Sequence, residues 1–308
     1  MIRVFIDGSA GTTGLRIADR LAARQDISLT KLPEELRKNP DARRDALHSA
    51  DVAFLCLPDA AAMEAVALAE GSGVKIIDTS TAHRVNPQWV YGFPELEGQR
   101  EKIAASGRIA NPGCHASGFV ALVEPLVRHG IVSKDTALTC FSLTGYSGGG
   151  KKMIAEYEAV DRNPLLVAPR QYALTQQHKH LKEMGAVCGL ENAPVFCPIV
   201  ADFYSGMEVT VPLFAKDVKG TIEDIRELYR VYYASGLVRY MDHADADGML
   251  SAAAFSGRDD MGISVFGNAD RILLTARFDN LGKGASGAAI QNMNILLGLP
   301  EDTGLVIG

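Results

Sequence analysis

The chain begins with a strand, a glycine turn and a helix in immediate succession, and that order restricts its folding options more than any other feature. Ile2–Ile6, "IRVFI", is a compact apolar run; Gly8-Ser9-Ala10-Gly11-Thr12-Thr13-Gly14 follows, and "GLRIADRLAAR" (Gly14–Arg24) places apolar residues at helical spacing. "ISLTKL", "VAFLCL" and "VKIIDTS" read as further strands, with "DAAAMEAVALAE" a helix between the last two. Strands separated by helices of this length form parallel β-α-β units. The expected architecture is α/β: a Rossmann-type doubly wound parallel sheet over residues 1–112, its last strand ending near Asn111.

The glycine turn has the form G-x-x-G-x-x-G. Glycines there permit a tight turn, close approach of backbone to a pyrophosphate, and close packing of helix on strand, while the helix N-terminus offers N–H groups and the positive end of its dipole. Gly8, Ser9, Gly11, Thr12, Thr13 and Gly14 are therefore candidate contacts to a dinucleotide. NAD-preferring sites place an acidic residue at the end of the second strand for the ribose 2′-hydroxyl. Here the stretch is Ser28-Leu29-Thr30-Lys31-Leu32, which tolerates a 2′-phosphate and points to NADP(H), although Glu34 and Glu35 follow closely.

Beyond Asn111 the rhythm changes. "ASGFVALVEPLVRHG" reads as helical despite Pro125, "TALTCFSLTG" as β-rich, and "TIEDIRELYRVYYAS" as an amphipathic helix. Met207–Phe214, Ile263–Phe266 and Arg271–Arg277 read as strands of a mixed sheet. The expectation is an α+β catalytic and oligomerisation domain over 113–284, with a C-terminal helix from about 285 to 308 packing back onto the first domain.

Between the two halves stands "NPGCHASG", Asn111–Gly118. If Gly113 closes a turn and a helix follows, Cys114 lies at a helix N-terminus, where the dipole and unpaired N–H groups stabilise a thiolate. The thiolate is the nucleophilic form. A cysteine nucleophile beside a dinucleotide fold suits carbonyl chemistry at the acid oxidation level, such as reductive dephosphorylation of an acyl phosphate or its reverse.

Other clusters carry site chemistry. In "YALTQQHKHLKEM", His178 and His180 have pKa values suited to proton transfer. Their i, i+2 spacing keeps them off one helical face, so one imidazole reaches the cysteine and the other points to substrate or solvent. Lys182 suits an anionic substrate. "DTSTAHR" places Ser80, His83 and Arg84 at the carboxyl end of the sheet, where doubly wound folds bind ligands. "TGYSGGGKK" offers Ser147, Gly148 and Lys151-Lys152 to a phosphate, with a solvated loop the alternative. "DNLGKGASGAAIQNMN" offers Lys283 and Asn292, with a simple capping loop the alternative.

Composition removes several function classes. A formal net charge of −6 argues against a nucleic-acid or anionic-membrane partner, and no window reaches the ~18 uninterrupted apolar residues of a membrane span. The N-terminus reads as a strand rather than a signal peptide. Five irregularly spaced cysteines fit a reducing cytoplasm better than a disulfide framework, and no C-x-x-C pair points to a metal.

Taken together, "DGSAGTTGLRI", "DTSTAHR", "YGFPEL" (Tyr91–Leu96), "NPGCHASG", "TGYSGGGKK", "HKHLKEM" and "DNLGKGASGAAIQNMN" resemble, in order and spacing, the shorter form of the N-acetyl-γ-glutamyl-phosphate reductase family of arginine biosynthesis. The resemblance implies NADP-dependent reduction of an acyl phosphate, Cys114 as nucleophile, and His180, or else His178, as acid/base. It implies that Arg84, Lys151, Lys182 and Lys283 bind substrate or phosphate. Ser80, Ser147, Gly148 and Asn292 join the cofactor contacts. It also implies a fold like aspartate-semialdehyde dehydrogenase and a homo-oligomer, dimer or tetramer. Where the family commonly has tyrosine and proline after the cysteine, this chain has His115-Ala116. Alternatives are an aspartate-semialdehyde-type dehydrogenase and, more distantly, a non-catalytic NADP or redox sensor.

Overall fold

The computed structural model describes residues 1–308, and the chain divides into two compact units. The first comprises Met1–Pro112 with Ala285–Leu305, the second Gly113–Gly284 with Val306–Gly308.

In the first unit six strands form one sheet: β1 (Ile2–Asp7), β2 (Ile27–Thr30), β3 (Val52–Leu55), β4 (Lys75–Asp78), β5 (Val90–Tyr91) and β6 (Arg108–Ala110). All pairs are parallel, in the order β2-β1-β3-β4-β6-β5. Strand alternation sends neighbouring residues to opposite faces, and both faces are apolar. Val4, Ile6, Val52, Phe54 and Ile77 pack with Ile17 and Leu21 of helix α1 (Thr12–Ala22) on one side. Phe5, Ala53, Leu55 and Ile76 lie on the other, against α2 (Pro40–Ser49) and α3 (Asp59–Leu68). Burial on both faces is what a doubly wound parallel sheet requires. The order reverses between β1 and β3, so the glycine turn after β1 opens at the topological switch point.

Helix α2 is not among the elements read from the sequence. Its start follows capping chemistry: Asn39 Oδ1 accepts from the amides of Asp41 and Ala42 at 3.0 Å each, and Pro40 occupies the first helical position. After α4 (Gln99–Ala105) the remaining helix of this unit comes from the far end of the chain. The expected 285–308 helix is shorter than read: residues 282–286 make a π-helical turn, the helix itself covers Gly287–Leu296, and Gly298 (φ 71°) and Pro300 lie just beyond its end.

The second unit is built on a seven-stranded mixed sheet of β7 (Thr139–Gly145), β8 (Arg170–Gln171), β9 (Val195–Ala201), β10 (Met207–Phe214), β11 (Val238–Tyr240), β12 (Met261–Gly267) and β13 (Arg271–Phe278), ordered β11-β12-β13-β10-β7-β9-β8. Helix α5 (Cys114–Arg128) packs on β10 and β13, with α7 (His180–Cys188) and α8 (Ile222–Tyr232) beside it. Helix α6 (Gly150–Glu158) follows a 3₁₀ turn at Tyr146–Gly149, so "TGYSGGGKK" is ordered helical structure rather than a loop.

Two features seat α5. A Cβ on Gly118 would stand 2.5 Å from Val209 Cγ2 and 2.9 Å from Phe278 Cε1, so only glycine lets the helix approach the sheet this closely. Pro125 cannot donate to the carbonyl four residues earlier. That carbonyl, on Ala121, accepts instead from the Tyr233 hydroxyl at 2.7 Å, and the neighbouring Leu122 carbonyl accepts from the Tyr229 hydroxyl.

Candidate active site

The first unit presents a phosphate-type cradle. Gly8 has φ 86°, and a Cβ there would lie 2.2 Å from the Cys56 carbonyl oxygen; one on Gly14 would lie 2.6 Å from the Gly8 oxygen. These two glycines are fixed by packing. Gly11 is not, since its Cβ would meet only the Gly8 oxygen, at 3.6 Å. Gly11 is the N-cap of α1 and brings no side chain to the first-turn amides, and the Thr12 hydroxyl is buried without a partner. Ser9 and Thr13 stand half-buried in the same turn. At the end of β1 the buried Asp7 carboxylate meets Arg43 at 2.9 Å, which also reaches Glu64 at 3.1 Å. Burial raises the Asp7 pKa and Arg43 opposes the rise.

The loop after β4 is organised internally. Asp78, fully buried, accepts from the Ser80 amide (2.9 Å) and hydroxyl (2.7 Å), and pairs with His83 Nδ1 (2.6 Å). His83 stacks on Trp89 at 4.0 Å. The Arg84 guanidinium donates to the Asn111 carbonyl at 3.0 Å and the Thr79 carbonyl at 2.9 Å, which makes it a buckle of this unit. Asn292 Nδ2 donates to the Gly92 carbonyl and to Asn111 Oδ1, leaving its own Oδ1 buried and without a partner.

The second unit carries the nucleophile candidate. Gly113 is the extended N-cap of α5 and Cys114 its first residue. A glycine cap leaves no side chain competing for the first-turn N–H groups, and both the amide and the hydroxyl of Ser117 return to the Gly113 carbonyl. The Gly113 amide donates at 2.8 Å to Glu183 Oε1, a carboxylate only 1% exposed. Glu183 lies one turn along α7 from His180, so one helix face delivers both groups to the start of α5.

His178 is not in that helix. It precedes α7 and its Nδ1 accepts from the His180 amide at 3.2 Å, with the two rings 4.7 Å apart. The helical-face argument from i, i+2 spacing therefore does not apply, and both imidazoles join one cluster. His115 is its third ring, 5.7 Å from His178 and 5.5 Å from His180. His115 Nδ1 is 2.7 Å from the Ser142 hydroxyl and Nε2 is 2.7 Å from the Tyr172 hydroxyl. Burial, reinforced by His178, presses the His115 pKa down to about 3, so this ring is neutral at working pH. Burial pushes the Tyr172 phenol strongly upward, and Cys114 adds to the push.

The segment joining Tyr172 to His178 contains two non-glycine residues in the left-handed region, Ala173 (φ 52°) and Gln176 (φ 57°). It is held by a two-way amide clamp: Gln176 Nε2 donates to the Phe196 carbonyl at 2.7 Å and the Phe196 amide donates to Gln176 Oε1 at 2.8 Å. Gly284 closes the other side, where a Cβ would approach Cys114 Cβ to 3.0 Å.

The remaining sequence candidates stand as follows. Lys182 is exposed on α7, two residues and so about 200° around from His180, away from the cluster. Ser147 is buried and accepts from Asn280 Nδ2 at 3.0 Å; Gly148 beside it is exposed. Lys151 is exposed in the first turn of α6, whereas Lys283 is 1% exposed within the π turn next to Gly284. Sequence reasoning missed Glu183, Tyr172 and Ser142. Only Glu183 had a legible signal, its i+3 spacing from His180.

Comparison with known proteins places this geometry. A semialdehyde dehydrogenase NAD-binding domain model matches residues 8–106, and a semialdehyde dehydrogenase dimerisation domain model matches 114–280. The chain is 46% identical to N-acetyl-gamma-glutamyl-phosphate reductase 2 of a Nostoc species, over 98% of this chain and 99% of that one. It is 45% identical to N-acetyl-gamma-glutamyl-phosphate reductase of Brucella ovis, over 96% and 99%. The chain belongs to the N-acetyl-γ-glutamyl-phosphate reductase family. Its fold is that of aspartate semialdehyde dehydrogenases: the Vibrio cholerae enzyme II superposes with a TM-score of 0.72 at 14% identity, over 96% of this chain and 98% of that one. The Candida albicans enzyme, solved with NADP, gives 0.65 at 16% identity over the same shares. No helix is long and apolar enough to cross a membrane.

Proposed function

We propose that this member of the family reduces N-acetyl-L-glutamyl 5-phosphate to N-acetyl-L-glutamate 5-semialdehyde and phosphate through a thioester on Cys114. The observation that carries the chemistry is the placement of Cys114 as first residue of α5, under an N-cap without a side chain and within reach of the histidine cluster. The near full-length identity to reductases of that name supports the substrate.

In this reading the Cys114 thiolate attacks the γ-acyl carbon, and the first-turn N–H groups of α5 hold the oxyanion. Expulsion of phosphate leaves the thioester. Bound NADPH supplies the hydride that reduces it. Gly8, Ser9, Gly11, Thr12, Thr13 and Gly14 hold the pyrophosphate, Thr12 with its unpartnered hydroxyl. Asn292 Oδ1, also unpartnered, is the acceptor offered to an amide of the dinucleotide. The absence of an acidic residue between Ser28 and Leu32 supports the 2′-phosphate form. His180 protonates the hemithioacetal oxyanion's partner sulfur as it leaves, or takes the proton in reverse, while Glu183 holds α7 against the cap of α5.

The working form in this reading is a cytoplasmic homo-oligomer. The outer face of the second sheet carries Phe141, Leu143, Cys197, Ile199, Pro212 and Leu273, apolar where a solvated face would be polar. A second copy of the chain covers it.

The test is phosphate-dependent reduction of NADP by N-acetyl-L-glutamate 5-semialdehyde, with aspartate semialdehyde in parallel. Turnover of the first, absent without phosphate, supports the reading; turnover of the second alone overturns the substrate.

A further inference from the structure

The residue after the nucleophile departs from the family's common pattern, and its surroundings give it a task. His115 is buried with Ser142 Oγ on Nδ1 and Tyr172 Oη on Nε2, each at 2.7 Å. A neutral imidazole donates from one nitrogen and accepts at the other. Two arrangements satisfy it, and they have opposite consequences for Tyr172.

Ser142 decides between them. Its hydroxyl is fully buried on β7 and His115 Nδ1 is its one hydrogen-bond partner. A buried O–H proton without an acceptor is costly. The hydroxyl therefore donates to Nδ1, which puts the ring proton on Nε2, and Nε2–H donates to the Tyr172 oxygen. The Tyr172 proton is then not spent on His115. It points to the remaining polar neighbour, Cys114, whose negative form Tyr172 feels directly.

We propose that Tyr172 is a hydrogen-bond donor to the Cys114 thiolate, held in that orientation by the chain Ser142 to His115 to Tyr172, with Ser142 and His115 as positioning residues. The proposal rests on the reading of Cys114 as nucleophile and adds to it the source of the thiolate's stabilisation beyond the helix terminus. The upward-shifted phenol stays protonated, hence a donor, throughout the working pH range. The neutral His115 cannot become a second cation that would reverse the chain. Ala173 and Gln176 hold left-handed backbone beside Tyr172, and the Gln176–Phe196 clamp keeps that segment in place. The other titratable groups about Cys114 are His178, His180 and Glu183, with Asp279 and Lys283 on the turn that brings Gly284 against it. None of them is altered by the variants below.

The experiment is the rate of iodoacetamide alkylation of Cys114, followed on its own peptide by mass spectrometry, across pH. Tyr172→Phe removes one charge-assisted hydrogen bond, so alkylation at the acidic end slows about 10-fold while the rates converge at alkaline pH. Ser142→Ala, which touches neither Cys114 nor Tyr172, slows it in the same direction but less. The double variant is no slower than Tyr172→Phe alone, because both act through one contact. A Tyr172→Phe profile that overlies wild type overturns the proposal, as do multiplying effects of the two substitutions. Alkylation reads the contact whether or not the chain turns over. Failure of the phosphate-dependent assay with an unchanged Tyr172 effect would therefore fault the functional reading alone.

Discussion

The amide of Gly113 donates to the buried carboxylate of Glu183 at 2.8 Å, and this one bond ties the cap of the cysteine helix to the helix that begins with His180. The relative placement of nucleophile and acid/base thus depends on a residue that belongs to neither role.

Glu183→Ala removes the acceptor and leaves a buried amide unpaired, at a cost of about 1–3 kcal/mol. Chemical denaturation should show that loss of stability, and kcat should fall by at least ~10-fold with little change in KM, because geometry rather than binding is disturbed. Glu183→Gln retains an acceptor oxygen and should recover most of both.

The buried His115 makes acid stability predictable in sign. The folded pKa is near 3 against 6.5 for the free ring, so between those values the unfolded chain takes up a proton that the folded chain refuses. This site's contribution is complete above about pH 6.5 and is lost as the pH falls toward 3. Urea midpoints measured across that window should fall more steeply for wild type than for His115→Phe. Parallel curves would contradict the assignment of a neutral buried ring.

Phe141 projects from the outer face of the second sheet and is 45% exposed in the single chain. If a second copy covers that face, Phe141→Lys puts a charge in the middle of the contact and should dissociate the assembly. Light scattering coupled to gel filtration would show the change in mass, while an unaltered oligomer would place the contact elsewhere.

The two halves were legible in the sequence to different degrees, for physical reasons. Strands such as Val52–Leu55 are apolar on both faces and are punctuated by glycine and helices, so the parallel half could be read directly. The start of α5 at Cys114 was readable because Asn111-Pro112-Gly113 forces a turn before it. Helix α2 was overlooked although Asn39 and Pro40 announce it, since its hydrophobic residues are few. Tyr172 and Ser142 could not be read, because they approach His115 from 57 and 27 residues away through tertiary structure alone. His178 was misread because a helical spacing rule was applied across a helix boundary that falls between it and His180.

The central claim is a covalent intermediate on Cys114, and a rapid-mixing experiment without phosphate tests it most directly. N-acetyl-L-glutamate 5-semialdehyde and NADP should give a burst of NADPH stoichiometric with enzyme and then stop, because the thioester awaits phosphate. Adding phosphate should restart turnover, and Cys114→Ala should show no burst. A burst that survives in Cys114→Ala, or phosphate-dependent turnover with no burst in the wild type, would contradict the thioester account.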